Sequence, residues 1–178
     1  NKKEDIIILD GRPFEEYNKM SIPESICCPN AEIPYKISSI IKNSKTDIII
    51  NCAGRTRSII GAQTLINFGI KNKVYALENG TQGWVLSDLK LDNNKTNFLD
   101  ITPKENEKEK LKSEISNLLD KNHIKIIDLP KVKDLIEDET RSTYIFNVKT
   151  NLSPEKSVSG IRNVPGGQLV QATDNYIG

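Results

Sequence analysis

Ile48-Ile49-Ile50-Asn51-Cys52-Ala53-Gly54-Arg55-Thr56-Arg57-Ser58-Ile59-Ile60-Gly61-Ala62 joins a strongly apolar run to a short polar loop and then, at once, to a helical pattern. Continuous β-branched runs are what strands buried on both faces look like. The run therefore delivers Cys52 to the C-terminal end of a buried strand. In open α/β sheets that end of the strands is where ligands bind. A loop closing onto a helix N-terminus also presents successive backbone N–H groups to an anion. Arg55 and Arg57 lie within this loop. Cations and helix N-termini favour a thiolate over a thiol, so a nucleophile at this position needs no histidine.

Working outward, similar short runs occur at Ile6 to Leu9, Ser25 to Cys28 and Val74 to Leu77. Helical stretches separate them, at Ala31 to Lys42 and at Ser58 to Phe68, the second closed by Gly69. The alternation predicts a small α/β domain with a mainly parallel sheet flanked by helices.

Composition supports this reading by exclusion. The chain has 178 residues, with 25 Lys+Arg against 24 Asp+Glu, so it lacks the charge footprint of a nucleic-acid or anionic-membrane binder. No apolar stretch is long enough to span a bilayer. One His and three Cys leave no set for a zinc tetrad or a disulfide framework, so no metal and no cofactor is expected. Reduced thiols point to the cytoplasm. The first residue is Asn1 and not Met, which reads as a trimmed front.

From Lys90 to Asn122 the chain turns polar and charged, as a linker does. Thr102-Pro103-Lys104-Glu105 has the pattern of a capping box, and Leu111, Ile115, Leu118 and Leu119 follow at helical spacing. A helix from about Pro103 to Leu119, docked by one narrow apolar stripe, is predicted. Beyond it come an apolar run at Ile124 to Ile127, opening as a strand would, a short helix near Leu129 to Ile136 and a strand at Tyr144 to Val148. This tail echoes the front of the chain. Asp10-Gly11-Arg12 aligns with Asn147-Val148-Lys149, and Cys28-Pro29 with Val164-Pro165, at separations that differ by one residue. The counterpart of Cys52 would fall beyond Gly178.

The Cys52 loop resembles the active-site loop of rhodanese-family sulfurtransferases, in which a Cys opens a six-residue loop and becomes a persulfide. Asp10-Gly11-Arg12 with Glu16-Tyr17, the Ser21-Ile22-Pro23 turn and Asn79-Gly80-Thr81-Gln82-Gly83-Trp84 agree with the family in type and order. Pro165-Gly166-Gly167-Gln168-Leu169-Val170-Gln171 resembles the front of a further module, as in tandem members. Met20-Ser21-Ile22-Pro23-Glu24 departs from the family's usual Gly-His-Ile-Pro-Gly, at a turn read as architectural. The resemblance implies a rhodanese-like three-layer α/β domain at 1–90, trimmed at its front. A charged linker with a helix follows at 91–122, and a truncated second rhodanese-like module at 123–178.

It also implies the chemistry. Cys52 would be the catalytic nucleophile, taking sulfur from thiosulfate or a persulfide donor and passing it to a thiol, to cyanide or to an acceptor protein. Ala53, Gly54, Arg55, Thr56, Arg57 and Ser58 would bind the substrate, their N–H groups holding the outer sulfur. Arg57 would tie the loop and face the donor, and Arg55 would stand exposed and select the donor's charge. Neither nucleic acid nor membrane is an expected partner. Related phosphatases use Cys, five residues and Arg, whereas Cys52 and Arg57 enclose four. The alternatives are a non-catalytic docking module and a redox relay between Cys52 and Cys27 or Cys28, which requires disulfide reach. Simpler readings make Cys27 and Cys28 small core residues, Asp10 and Arg12 a scaffold pair, Trp84 a core cap and His123 a surface residue.

Overall fold

In the computed structural model, β1 (Ile6–Asp10), β2 (Ile26–Cys27), β3 (Asp47–Asn51) and β4 (Val74–Ala76) form one parallel sheet in the order β2-β1-β3-β4. The structure describes residues 5–99, 101–102, 104–148, 160–164 and 166–178. Asp10 sits opposite Cys27 on one side and Asn51 on the other, so the three strand ends lie in one row. The crossovers are α1 (Phe14–Lys19), α2 (Ile33–Ile40) and α3 (Thr56–Asn67), and α4 (Gly80–Leu86) follows β4. Ile33 and Ile37 of α2, with Ala62 and Leu65 of α3, pack on Leu9, Ile48 and Ile50. Burying each such isoleucine stabilises the fold by about 1.5–3 kcal/mol.

The α/β class and parallel sheet agree with the sequence reading, with shifts at the ends of elements. β2 covers only Ile26–Cys27, because Ser25 is held in a turn by its N–H and hydroxyl, both donating to the Ile22 carbonyl. α3 begins at Thr56, two residues before the predicted Ser58, and ends at Asn67, with Gly69 beyond it in the left-handed region, φ +84°.

Residues 92–99, expected to begin a linker, instead close the β2 edge of this sheet. Cys27 N–H donates to the Asn97 carbonyl at 2.9 Å and Leu99 N–H to the Cys27 carbonyl at 3.2 Å. Leu99 enters the core, and Lys36 Nζ holds its carbonyl at 2.5 Å. α5 (Glu105–Lys121) follows, with Leu111 buried. Its start corrects the predicted capping box: Lys104 is the cap, its N–H donating to Glu107 Oε2 at 2.8 Å, and Pro103 lies outside the described residues. Lys104 has the extended backbone of a cap, and a glutamate three residues on reaches back to its N–H.

Ile124 to Ile127 is no strand: it pairs with no neighbour among the described residues, and Ile124, Ile126 and Ile127 are exposed. Apolar, β-branched sequence without an adjacent edge to pair with gains no ladder. α6 (Leu129–Glu137) starts where the Asp128 carboxylate accepts from Lys131 N–H at 3.0 Å. β5 (Phe146–Asn147), shorter than the predicted Tyr144 to Val148, pairs in parallel with β6 (Arg162–Asn163), and α7 (Gly166–Gln171) packs against α3. Val164 N–H donates to the Asn147 carbonyl at 2.9 Å, the same bond that Cys28 N–H makes to Asp10 at 2.9 Å. The β5–β6 pair thus has the register of β1–β2; Lys149 and Pro165 of the aligned segments lie outside the described residues.

Candidate active site

Cys52 stands one residue past β3, at the carboxyl edge of the sheet, and is buried. The six residues after it turn directly into α3. The first four N–H groups of any helix have no partner inside the helix. Here the deficit is longer: among the described residues, none of the backbone N–H groups of residues 53–58 donates to a carbonyl or a side chain. A run of donors following a thiol is the arrangement that holds an anion or a polarised sulfur.

The loop keeps its shape through its carbonyls. Thr81 N–H donates to the Cys52 carbonyl at 2.9 Å and Gln82 N–H to the Ala53 carbonyl at 3.0 Å, so the start of α4 grips the start of the loop. Gly80, φ +50°, makes this approach possible, since a Cβ there would collide with the Cys52 and Gly54 carbonyls. Asn79 before it also adopts the left-handed region, φ 57°. At the far end the Ser58 hydroxyl donates to the Arg55 carbonyl at 2.8 Å. Arg55 and Thr56 are exposed, whereas Ala53, Gly54 and Arg57 are half-buried and Ser58 is buried.

Arg57 does not stand free beside the thiol. Its Nη1 and Nη2 donate to Glu16 Oε1 and Oε2 at 2.7 and 2.9 Å. The paired guanidinium holds Glu16 below the usual glutamate range, and the carboxylate raises Arg57 in turn. The positive charge expected at the loop's end is therefore largely balanced, and exposed Arg55 is left as the loop's outward cation. Sequence reasoning noticed Glu16 but missed this pairing, because no spacing rule connects residues 41 apart.

Beneath the loop, Asp10 and Arg12 do pair. Arg12 Nη2 meets Asp10 Oδ2 at 2.7 Å, both side chains are buried, and Asn51 Nδ2 donates to the same oxygen at 3.1 Å. Arg12 Nη2 also reaches the Met20 carbonyl at 2.6 Å. The pair thereby links the row of strand ends to the turn before β2. Trp84 is half-buried, with its indole N–H on the Lys90 carbonyl at 3.0 Å, and His123 is an exposed residue in the left-handed region ending α5.

Cys27 and Cys28 are buried thiols, each pushed up to about 12, chiefly by burial. The Asp10 carboxylate adds to the effect on Cys27, and Glu32 to that on Cys28, where Lys36 opposes it. β1 lies between their strand and that of Cys52. Two strand spacings of about 4.8 Å exceed the Cα separation of roughly 4.4–6.8 Å that a disulfide bridges. The topology thus gives no support to a Cys52 relay through either thiol. Among the described residues no group of three or more His, Cys, Asp or Glu could hold a metal ion, and no helix is long and apolar enough to cross a membrane.

The comparisons with known proteins agree with this geometry. The Rhodanese-like domain family matches residues 1–87. Those residues are a rhodanese-like domain. The whole chain is similar to a thiosulfate sulfurtransferase from Pseudomonas aeruginosa, at 38% identity and a TM-score of 0.84, over 97% of this chain and 33% of that one. The chain thus spans about a third of that protein's length. A Rhodanese_3-like domain from Anabaena sp. is 23% identical over 51% of this chain and 95% of its own, TM-score 0.46. A Bacillus halodurans protein is 23% identical over 52% and 66%, TM-score 0.45. No curated protein matches the chain. The rhodanese-like domain ends close to α4, so the match includes both walls of the Cys52 loop.

Proposed function

We propose that the chain carries the catalytic loop of a sulfurtransferase, with Cys52 as the sulfur carrier. The observation that bears this reading is the run of N–H groups at residues 53–58, without partners among the described residues, directly after a strand-end thiol. The similarity to a thiosulfate sulfurtransferase along nearly the whole chain supports it.

In the first half-reaction the Cys52 thiolate attacks the outer sulfur of thiosulfate. The new S–S bond forms as the old one breaks, and sulfite leaves with the bonding pair. A persulfide donor reacts likewise and releases a thiolate. The terminal sulfur on Cys52 carries negative charge, which the N–H groups of residues 53–58 stabilise. In the second half-reaction a thiol, cyanide or an acceptor protein attacks that sulfur, and Cys52 leaves as the thiolate. Exposed Arg55 draws anionic donors to the mouth, while Arg57 secures the loop through Glu16. Three unpaired cysteines suit the reducing cytoplasm.

Residues 123–178 fit the front of a second rhodanese-like module. The β5–β6 register, which repeats that of β1–β2, supports this reading.

The test is intact mass after incubation with thiosulfate. A gain of one sulfur atom, lost in Cys52→Ser and discharged by cyanide with ping-pong kinetics, is expected. No gain, or a gain that survives Cys52→Ser, sinks the proposal and leaves the docking-module reading.

A further inference from the structure

Asn30 occupies the point where three parts of the molecule meet. Its backbone N–H donates to the Gly11 carbonyl at 3.2 Å, fixing it beside the end of β1. Its side chain is about nine-tenths buried, with Nδ2 donating to the Arg57 carbonyl at 2.8 Å. Among the described residues Oδ1 has no hydrogen-bond partner, and it fills a slot that exists because two residues lack side chains: a Cβ on Gly11 or on Gly61 would run into it. On the remaining side lies Gly167 of α7, where a Cβ would sit 3.6 Å from Nδ2. One amide therefore bonds the first turn of α3, fills the space left beside Gly11 and Gly61, and has Gly167 of α7 on its remaining side.

The physical consequence follows from how the loop is held. Its own N–H groups make no bonds among the described residues, so its shape depends on the bonds to its carbonyls and on the Arg57–Glu16 pair. Thr81 and Gln82 secure the Cys52 end. The Arg57 end moves with the first turn of α3, and Asn30 is the side chain that bonds its carbonyl directly to the β2–α2 turn. Gly167 of α7 lies beside that bond, which is partly buried. A hydrogen bond shielded from water holds its acceptor better than one competing with solvent.

We infer that Asn30 is a positioning residue through which α7 holds the Cys52 loop in its transfer-competent shape. The inference rests on the sulfur-carrier reading for its functional consequence, and on geometry for its structural one.

The 178-residue chain tests both. Asn30→Ala and Asn30→Asp remove the donor, Gly167→Leu pushes against Asn30 from the α7 side, and Gly167→Ala adds only a methyl in ordinary contact. Hydrogen exchange is followed at the Ile59, Thr81 and Gln82 amides, which bond the loop carbonyls, and at β1 and β3 as reference. Faster loop-bracing exchange, by about tenfold, is expected in both Asn30 variants and in Gly167→Leu, with the strands unchanged and Gly167→Ala like wild type. Turnover with thiosulfate and cyanide should fall about tenfold in kcat, with donor KM within about twofold. Uniform acceleration across the strands would make Asn30 a packing residue and overturn the inference. An effect of the Asn30 variants without one in Gly167→Leu would overturn the part played by α7. If the wild-type chain takes up no sulfur, the catalytic reading fails while the exchange pattern still decides the positioning.

Discussion

Arg57 and Glu16 form a two-bond pair, Nη1 to Oε1 at 2.7 Å and Nη2 to Oε2 at 2.9 Å, that ties the last residue of the Cys52 loop to α1. A lysine cannot reproduce both bonds. Because the glutamate is partly exposed, the pair is worth about 1 kcal/mol at most. Arg57→Lys should therefore lower Tm by only about 2–4 °C, yet slow sulfur uptake by about tenfold through a loosened loop. Calorimetry beside timed intact-mass measurements checks the two effects separately.

The same pair sets a pH window. Glu16 is held below its ordinary value of 4.5, so its contribution to stability is complete above that value and disappears as pH falls through the lowered one. Wild type should be more stable than Glu16→Gln at neutral pH, and the two should converge as pH falls from 4.5 through the lowered value of Glu16. Melting both proteins from pH 3 to 7 gives the curve; a constant gap across that range contradicts the assignment.

Gly80→Ala places a methyl against the Cys52 and Gly54 carbonyls at φ +50°. Strain of about 1–3 kcal/mol is expected, together with loss of the Thr81 and Gln82 grip on the loop. The variant should lose most persulfide formation. Its Tm should drop by several degrees without unfolding at room temperature.

Asp10→Ala leaves the Arg12 guanidinium buried without its carboxylate and deprives Asn51 Nδ2 of its acceptor. Removing one partner of a buried ion pair costs about 3–5 kcal/mol. Denaturant titration should show the midpoint falling accordingly, and Asp10→Asn should recover only part of it.

Cys27 and Cys28, both pushed up to about 12, remain neutral in the fold at pH values where an unfolded thiol ionises. Their stabilising contribution is thus complete below about pH 8.5 and is lost progressively as pH rises towards 12. A Cys27→Ala, Cys28→Ala double variant should show a shallower alkaline loss of stability than wild type in melts from pH 8 to 10.5, and should still load sulfur on Cys52.

Much of the architecture was legible because it is local or periodic. The isoleucine runs mark the buried strands, Gly69 marks the end of α3, and the Cys52-to-Ser58 segment marks the loop between strand and helix. Where reading failed, a distant partner was responsible. Residues 92–99 look like a polar linker, yet the free edge of β2 accepts them and Lys36 anchors the Leu99 carbonyl. Ile124 to Ile127 looks like a strand, yet no edge beside it among the described residues offers a ladder. The α5 cap moved from Thr102 to Lys104 because two glutamates are spaced to serve as the third residue of such a box.

By itself the sequence determined the four strands of the sheet, the helices α2 and α3, the place of Cys52 at a strand end and the echo of the front of the chain in its tail, but not α1 or α4. These follow from apolar periodicity and from residues near one another along the chain. Only the tertiary structure decided that Arg57 spends its charge on Glu16, that β1 separates Cys52 from Cys27 and Cys28, and that Asn30 joins the loop to α7. Such contacts arise from strand order and helix seating, and those are fixed by the packing of the whole sheet.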